Sequence, residues 1–169
     1  MHTAPIPPKP QRVATAGPGG TAAAEDYGNA TAGDYGTATA GDSGTAKVGR
    51  CGTATAGEYG TATAGPRGTA VAGDYGTATA GDYGTATAGC RGTAVAGYCG
   101  TAVAGDYGTA TAGDSGTAIA GYGGNVRGGE GAVLLIRDSK DVLRSAQVGV
   151  AGITPNIPYT LKEGQWVEK

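Results

Sequence analysis

The sequence predicts an all-β chain, a two-sheet β-solenoid of about 16 residues per coil closed by a small β cap at the C-terminal end. Three observations carry this. A period of eight residues runs unbroken from Val13 to about Arg127, its frame Gly-Thr-Ala-Thr-Ala-Gly followed by a variable pair. The 169 residues include 35 Gly, one Trp and no Phe, so no ordinary globular core can be packed from them. The hydrophobic fraction of 39% is mostly Ala, which buries little area and loses no side-chain entropy on ordering. Such a chain must be held by backbone hydrogen bonds and close sheet contact.

In chain order, residues 1–12 read as a Pro-rich, flexible arm. Pro5, Pro7, Pro8 and Pro10 cannot donate ladder hydrogen bonds, and we expect them to oppose end-to-end stacking. Residues 13–128 are the repeat array. One Gly column runs Gly33, Gly41, Gly49 and on to Gly121, a second runs Gly28, Gly36, Gly44 and on to Gly124. The irregular start obeys the same register: Thr21 and Asn29 fall at the Thr position, and Glu25 replaces one Gly. About fifteen octads result, well above the three or so that a stacked architecture needs.

Each octad reads as a strand and a corner. Thr-Ala-Thr-Ala alternates between two faces, and Gly-x-x-Gly is expected to supply the backbone freedom for a tight turn. Two octads close a flattened coil, and the variable pairs support the doubling. Glu58-Tyr59, Asp74-Tyr75 and Asp106-Tyr107 recur on one edge, interrupted by Cys90-Arg91, whereas Arg50-Cys51, Pro66-Arg67 and Tyr98-Cys99 make a mixed second edge. Lys47, Val71, Val95, Val103 and Ile119 occupy the second Thr position, so we place Thr outside and Ala inside a thin interior. About seven coils are expected, at the 4.7–4.9 Å spacing of hydrogen-bonded strands.

Residues 129–169 form the cap. AVLLIRD from Ala132 and VLRSAQVGV from Val142 read as strands, and a hairpin joins 158–161 to 165–168 through Lys162-Glu163-Gly164. This tail holds most of the large apolar residues, more than one small cap should bury. Leu134, Ile136, Tyr159 and Trp166 are therefore candidates for self-association into a homo-oligomer, with a dimer as the default.

Charge is sparse and balanced, a net of -2, which argues against capture of nucleic acid or of an anionic membrane surface. No apolar stretch follows a positive charge near the start, so the expected location is the cytoplasm. The three cysteines, Cys51, Cys90 and Cys99, sit at variable turn positions; Cys51 and Cys99 are three coils apart and Cys90 is on the other edge, and all three are expected to stay free.

The residues also bear on chemistry. His2 is the only histidine and lies in the arm, so no Ser-His or Cys-His pairing can be placed on the scaffold; we expect no enzyme and no cofactor. Asp34, Asp42, Glu58, Asp74, Asp82, Asp106 and Asp114 occupy Gly-x-x-Gly turns, where a short carboxylate helps to make the corner, and no metal site is expected. Tyr35, Tyr59, Tyr75, Tyr83 and Tyr107 read as rings projected from one edge at coil spacing. Such a stack stiffens the turns, and it could also serve as a protein-binding strip, for which Tyr59, Tyr75, Arg91 and Tyr107 are the candidate residues.

The octads, with a fixed Gly-Thr-Ala-Thr-Ala-Gly frame and a variable pair drawn from Asp, Tyr, Ser, Arg and Cys, resemble those of an uncharacterised octapeptide-repeat family of bacteria and their phages. In that family a tail similar to ITPNIPYTLKEGQWVEK, Ile153 to Lys169, follows the array. The resemblance implies a phage or bacterial origin, with the host cytoplasm as the location if phage-encoded, and lends no activity. A weaker resemblance is to bacterial ice nucleation proteins, whose coils carry a similar Thr-x-Thr frame; here both halves of the coil carry it, the array is far shorter and the tail differs. The functional expectation is a rigid, non-enzymatic interaction or scaffold protein with a protein partner, blocking a host partner if phage-encoded. The alternative is an ice-binding surface, with Thr37, Thr39, Thr53, Thr55, Thr77, Thr79, Thr85 and Thr87 as its candidate residues.

Overall fold

Residues 13–169 are described by the structure, a computed structural model. The expectations placed on residues 1–12, His2 and the prolines among them, lie outside the described residues. From the N-terminal end the strands are β1 (Val13–Ala16), β2 (Thr21–Ala23), β3 (Asn29–Ala32), β4 (Thr37–Ala40), β5 (Thr45–Val48) and β6 (Thr53–Ala56). They continue as β7 (Thr61–Ala64), β8 (Thr69–Ala72), β9 (Thr77–Ala80), β10 (Thr85–Ala88), β11 (Thr93–Ala96) and β12 (Thr101–Ala104). The last are β13 (Thr109–Ala112), β14 (Thr117–Ala120), β15 (Asn125–Gly128), β16 (Val133–Arg137), β17 (Leu143–Gln147), β18 (Tyr159–Lys162) and β19 (Gln165–Glu168).

Odd strands β1 to β15 stack as one parallel sheet and even strands β2 to β16 as the other. Partners are sixteen residues apart, as in Thr77↔Thr93 and Thr85↔Thr101, which gives the predicted two-sheet solenoid. The array is longer than expected. β16 pairs in parallel with β14 in the same register, Thr117↔Val133 and Ile119↔Leu135, although its residues have left the octad frame. The eighth coil therefore crosses the boundary set at residue 128, because parallel pairing needs only extended backbone and an inward-outward alternation, and Val-Leu-Leu-Ile supplies both.

Ala columns line the interior, nearly all with 0–4% of their surface exposed, and Thr faces outward as predicted. An interior of methyl groups keeps the two sheets close. It also sets the role of the glycines, which differs from the one expected. The left-handed residue of each corner is the second of the variable pair: Tyr35 has φ 58°, Ser43 55°, Arg91 55° and Cys99 51°. Among the repeat's frame glycines no such φ occurs. Glycine is required there by space: a Cβ on Gly81 would sit 2.8 Å from the Pro66 nitrogen of the coil beneath, and one on Gly84 2.9 Å from both the Ala80 Cβ and the Gly68 oxygen. Turns usually need glycine for torsion; here stacking at strand spacing imposes the stricter demand.

The left-handed residue is held by its neighbours. Most corners close with a bond from the second Gly to the first, as in Gly36 N–H to the Gly33 carbonyl at 3.2 Å, and the left-handed residue donates onward, Tyr35 N–H to the Arg50 carbonyl at 2.8 Å. The corner bond and one bond to the next coil thus define a turn that Tyr, Ser, Cys and Arg side chains decorate at twelve positions.

Opposite signs are expected from two substitutions. Gly81→Ala lowers stability by about 1–3 kcal/mol through overpacking against the coil beneath, whereas Ser115→Gly is neutral or stabilising by under about 1 kcal/mol because it relieves a left-handed non-glycine residue. Urea denaturation of both variants measures this. A Gly81→Ala chain as stable as the parent contradicts the spatial account.

Candidate functional site

The turns form two edges, and the first carries the candidate strip. Tyr27, Ser43, Tyr59, Tyr75, Arg91 and Tyr107 occupy one left-handed column at sixteen-residue intervals. Tyr59 and Tyr75 stack with centroids 5.0 Å apart and planes 10° from parallel. Arg91 lies between Tyr75 and Tyr107, its guanidinium 5.7 and 5.8 Å from the two ring centres, and donates to the Tyr75 hydroxyl at 2.8 Å. That hydrogen bond is the main reason the Arg91 pKa is raised above its ordinary value. Tyr107 meets Tyr122 edge to face at 5.7 Å. The four predicted residues Tyr59, Tyr75, Arg91 and Tyr107 are therefore brought together in one ladder, with Tyr122 added from the first turn position.

Two residues of the expected aromatic set belong elsewhere. Tyr35 and Tyr83 lie in the second column, with Cys51, Arg67 and Cys99, because an odd number of octads separates them from Tyr59 and Tyr75. There Arg67 packs over Tyr83 at 5.8 Å and Tyr83 meets Tyr98 edge to face at 5.6 Å. The Tyr98 phenol is pushed up, chiefly by its hydrogen bond with Cys99. Cys51 and Cys99 share this edge three coils apart, and Cys90 is on the other, all three as free thiols.

The carboxylates turn out to link coils, which local turn chemistry did not foretell. Asp34 Oδ1 accepts the N–H of Arg50 at 2.8 Å, Asp74 Oδ1 that of Cys90 at 2.8 Å, and Asp106 Oδ1 that of Tyr122 at 2.8 Å. Asp26, Asp42, Asp82 and Asp114 do the same. Each bond spans sixteen residues, so the aspartates work along the solenoid axis and not within their own corners. Pro66, which has no N–H to give, sits directly above Arg50, which has no carboxylate to receive one. Among the described residues no cluster of His, Cys, Asp or Glu could hold a metal ion.

The threonines divide between two opposite faces. Thr37, Thr39, Thr53, Thr55, Thr85 and Thr87 lie on the even sheet, Thr77 and Thr79 on the odd one. On the even sheet Thr21, Thr37, Thr53, Thr69, Thr85, Thr101 and Thr117 form an unbroken column in register. Beside it run Thr39, Thr55, Val71, Thr87, Val103 and Ile119. The odd sheet is interrupted by Lys47 and Arg127.

The cap buries three of the four residues named for self-association. Leu134 and Ile136 are fully buried and Tyr159 is 2% exposed, joined by Val126, Val148 and Ile153. These side chains plug the open end of the Ala interior, where the last coil replaces inward Ala by larger residues, while Val133, Val142, Leu143 and Val150 stay exposed. β17 pairs with β16 and β19 with β18, both antiparallel, and β18 meets β15. The Tyr159 hydroxyl accepts from Thr154 N–H at 2.8 Å and donates to Glu168 at 3.2 Å; the Thr160 hydroxyl donates to the Gly124 carbonyl at 2.8 Å. Asp138 accepts from Lys140 and Val142 N–H and pairs with Arg144, bonds that hold its pKa below the usual carboxylate value against the opposing effect of burial. Of the four candidates only Trp166 keeps partial exposure, on the wall of a groove of about 740 Å³ between the two hairpins.

Comparisons add no relative: no family model, no curated protein and no solved structure matches the chain.

The axial role of the carboxylates has a direct check. Glu58→Asp places a short carboxylate below the free N–H of Asp74 and is expected to raise stability by about 0.5–1.5 kcal/mol, while Arg50→Asp, beneath Pro66, brings no such gain. Equal shifts in the denaturation midpoints of the two variants count against the account.

Proposed function

We propose that the chain is a rigid, non-enzymatic interaction module whose working surface is the first turn edge. The observation that carries the reading is the ladder Tyr59, Tyr75, Arg91, Tyr107 and Tyr122, continuous over five successive coils. Rings and guanidinium are already stacked on one another, so their rotamers are fixed before any partner arrives. Binding then costs little side-chain entropy, and Tyr and Arg are the residues that dominate protein interfaces. What the ladder offers outward is a row of ring edges and hydroxyls on a backbone that cannot yield. The partner is a protein. Immobilised full-length chain incubated with bacterial lysate is expected to retain a protein that the triple variant Tyr75→Ser, Arg91→Ser, Tyr107→Ser does not. Identical captures by the two chains end this reading.

A second reading is supported by the seven-threonine column of the even sheet. Threonines two apart on a strand are separated by roughly 6.6–6.8 Å and coils by about 4.7–4.9 Å, a flat hydroxyl and methyl lattice able to order water as ice does. Only the even sheet keeps the lattice free of charge. On this reading the protein shapes ice crystals, Thr53→Lys with Thr85→Lys abolishes the effect, and Thr61→Lys with Thr93→Lys on the opposite sheet preserves it. Unaltered crystals in the presence of the parent chain dismiss ice binding.

A further inference from the structure

The ladder contains its own precedent for a ligand. Arg91 fills a slot between Tyr75 and Tyr107, and the same edge holds a second slot of the same build between Tyr27 and Tyr59, where Ser43 stands in the place of the arginine. The two segments share their backbone. Tyr27, Ser43 and Tyr59 have φ of 58°, 55° and 54°, against 56°, 55° and 57° for Tyr75, Arg91 and Tyr107. Tyr27 and Ser43 donate to the next coil at 2.8 and 2.7 Å, as Tyr75 and Arg91 do at 2.9 and 2.8 Å. Strict register therefore holds Tyr27 and Tyr59 two coils apart, the separation at which Tyr75 and Tyr107 hold a guanidinium.

We propose that the Tyr27–Ser43–Tyr59 slot binds an arginine side chain presented by an extended segment of a partner protein, in the manner of Arg91. Three features support that occupant. The serine hydroxymethyl group is far too short to fill the space that the Arg91 side chain fills three coils further on. Tyr27 and Tyr59 are 66% and 61% exposed, whereas Tyr75 and Tyr107, which flank the occupied slot, are 45% and 54% exposed. Tyr59 spends one face on Tyr75, which leaves the face toward Ser43 unoccupied.

Charge favours a cation more strongly here than at Arg91. The first turn positions beside the slot are Asp26, Asp42 and Glu58, while those beside Arg91 are Asp74, Cys90 and Asp106. Asp26 and Asp42 each commit one carboxylate oxygen to the backbone of the next coil, which fixes them without neutralising them. A planar guanidinium suits the site better than an ammonium, since it can lie against two rings and still donate in its plane to a tyrosine hydroxyl or a carboxylate. A nucleic acid strand is disfavoured by the same carboxylates.

The inference gives the interaction reading a partner chemistry and rests on that reading for its biological use, but its test is separate. The probe is the peptide acetyl-Gly-Arg-Gly-amide, with its citrulline counterpart as the neutral isostere, titrated into the labelled full-length chain and followed by amide NMR shifts. Shifts are expected at Tyr27, Ser43 and Tyr59, about fivefold weaker binding is expected for citrulline, and Ser43→Gly, which keeps the slot open, retains the response. Ser43→Arg fills the slot from within and removes it. Arg91→Ser opens a second slot and adds shifts at Tyr75 and Tyr107. Equal binding of the arginine and citrulline peptides, or shifts that survive Ser43→Arg, overturn the proposal. Because Tyr27 and Ser43 are untouched in the triple edge variant, loss of slot binding and loss of partner capture are read independently.

Discussion

The stacking of successive coils at the spacing of hydrogen-bonded strands is the constraint on which the rest of this molecule depends. Parallel strands cannot be brought closer or held further apart without breaking the ladder, so every element of the coil must fit that one interval. Corners obey it by dispensing with side chains at two positions: a Cβ on Gly33 or Gly36 would meet the backbone of the coil below at 2.7 to 2.9 Å. The interior obeys it by using Ala, whose methyl fills a narrow gap between sheets. The twelve left-handed non-glycine corners, each unfavourable alone, are tolerated because their N–H groups are tied to the following coil.

From that constraint follows an unusual division of labour. Hydrophobic burial by side chains larger than Ala is concentrated in the C-terminal plug around Val126, Leu134, Ile136 and Tyr159, with Val48 the exception within the array, and the repeats are held by backbone bonds with aspartate carboxylates added along the edges. The axial Asp bonds tie most coils to the next through charged acceptors, which are stronger than neutral ones. Because every coil contacts only its neighbours, stability accrues coil by coil, and at the C-terminal end antiparallel β18 and β17 pair with the array's last strands β15 and β16.

The same interval sets what the surface can do. Side chains in a column recur at a fixed distance whatever their identity, so the variable pair can be changed without disturbing the frame. Rings and a guanidinium spaced in this way stack on one another, and a small residue in such a column leaves a defined vacancy between two rings. Threonines spaced in this way make a planar lattice on the even sheet. The surface of such a scaffold is set by which side chain fills each repeat of a column, and that is a property of register.

Much of this was legible in the sequence, because a period of eight with alternating Thr and Ala leaves few structures open. Strand positions, the sixteen-residue coil, the inward Ala, and the grouping of Tyr59, Tyr75, Arg91 and Tyr107 follow from spacing alone, since residues sixteen apart must share an edge. The same spacing puts Tyr35 and Tyr83 on the second edge. The tertiary structure decided matters that depend on distances between coils. It showed that the frame glycines answer a contact with the coil beneath, that Asp34 and Asp74 reach the next coil's N–H, and that β16 continues the stack after the octad is lost. It also showed Leu134, Ile136 and Tyr159 closing the end of the Ala interior. Periodicity fixes which residues are neighbours; only packed coordinates fix how close they come, and closeness determines whether a side chain is excluded, bonded or buried.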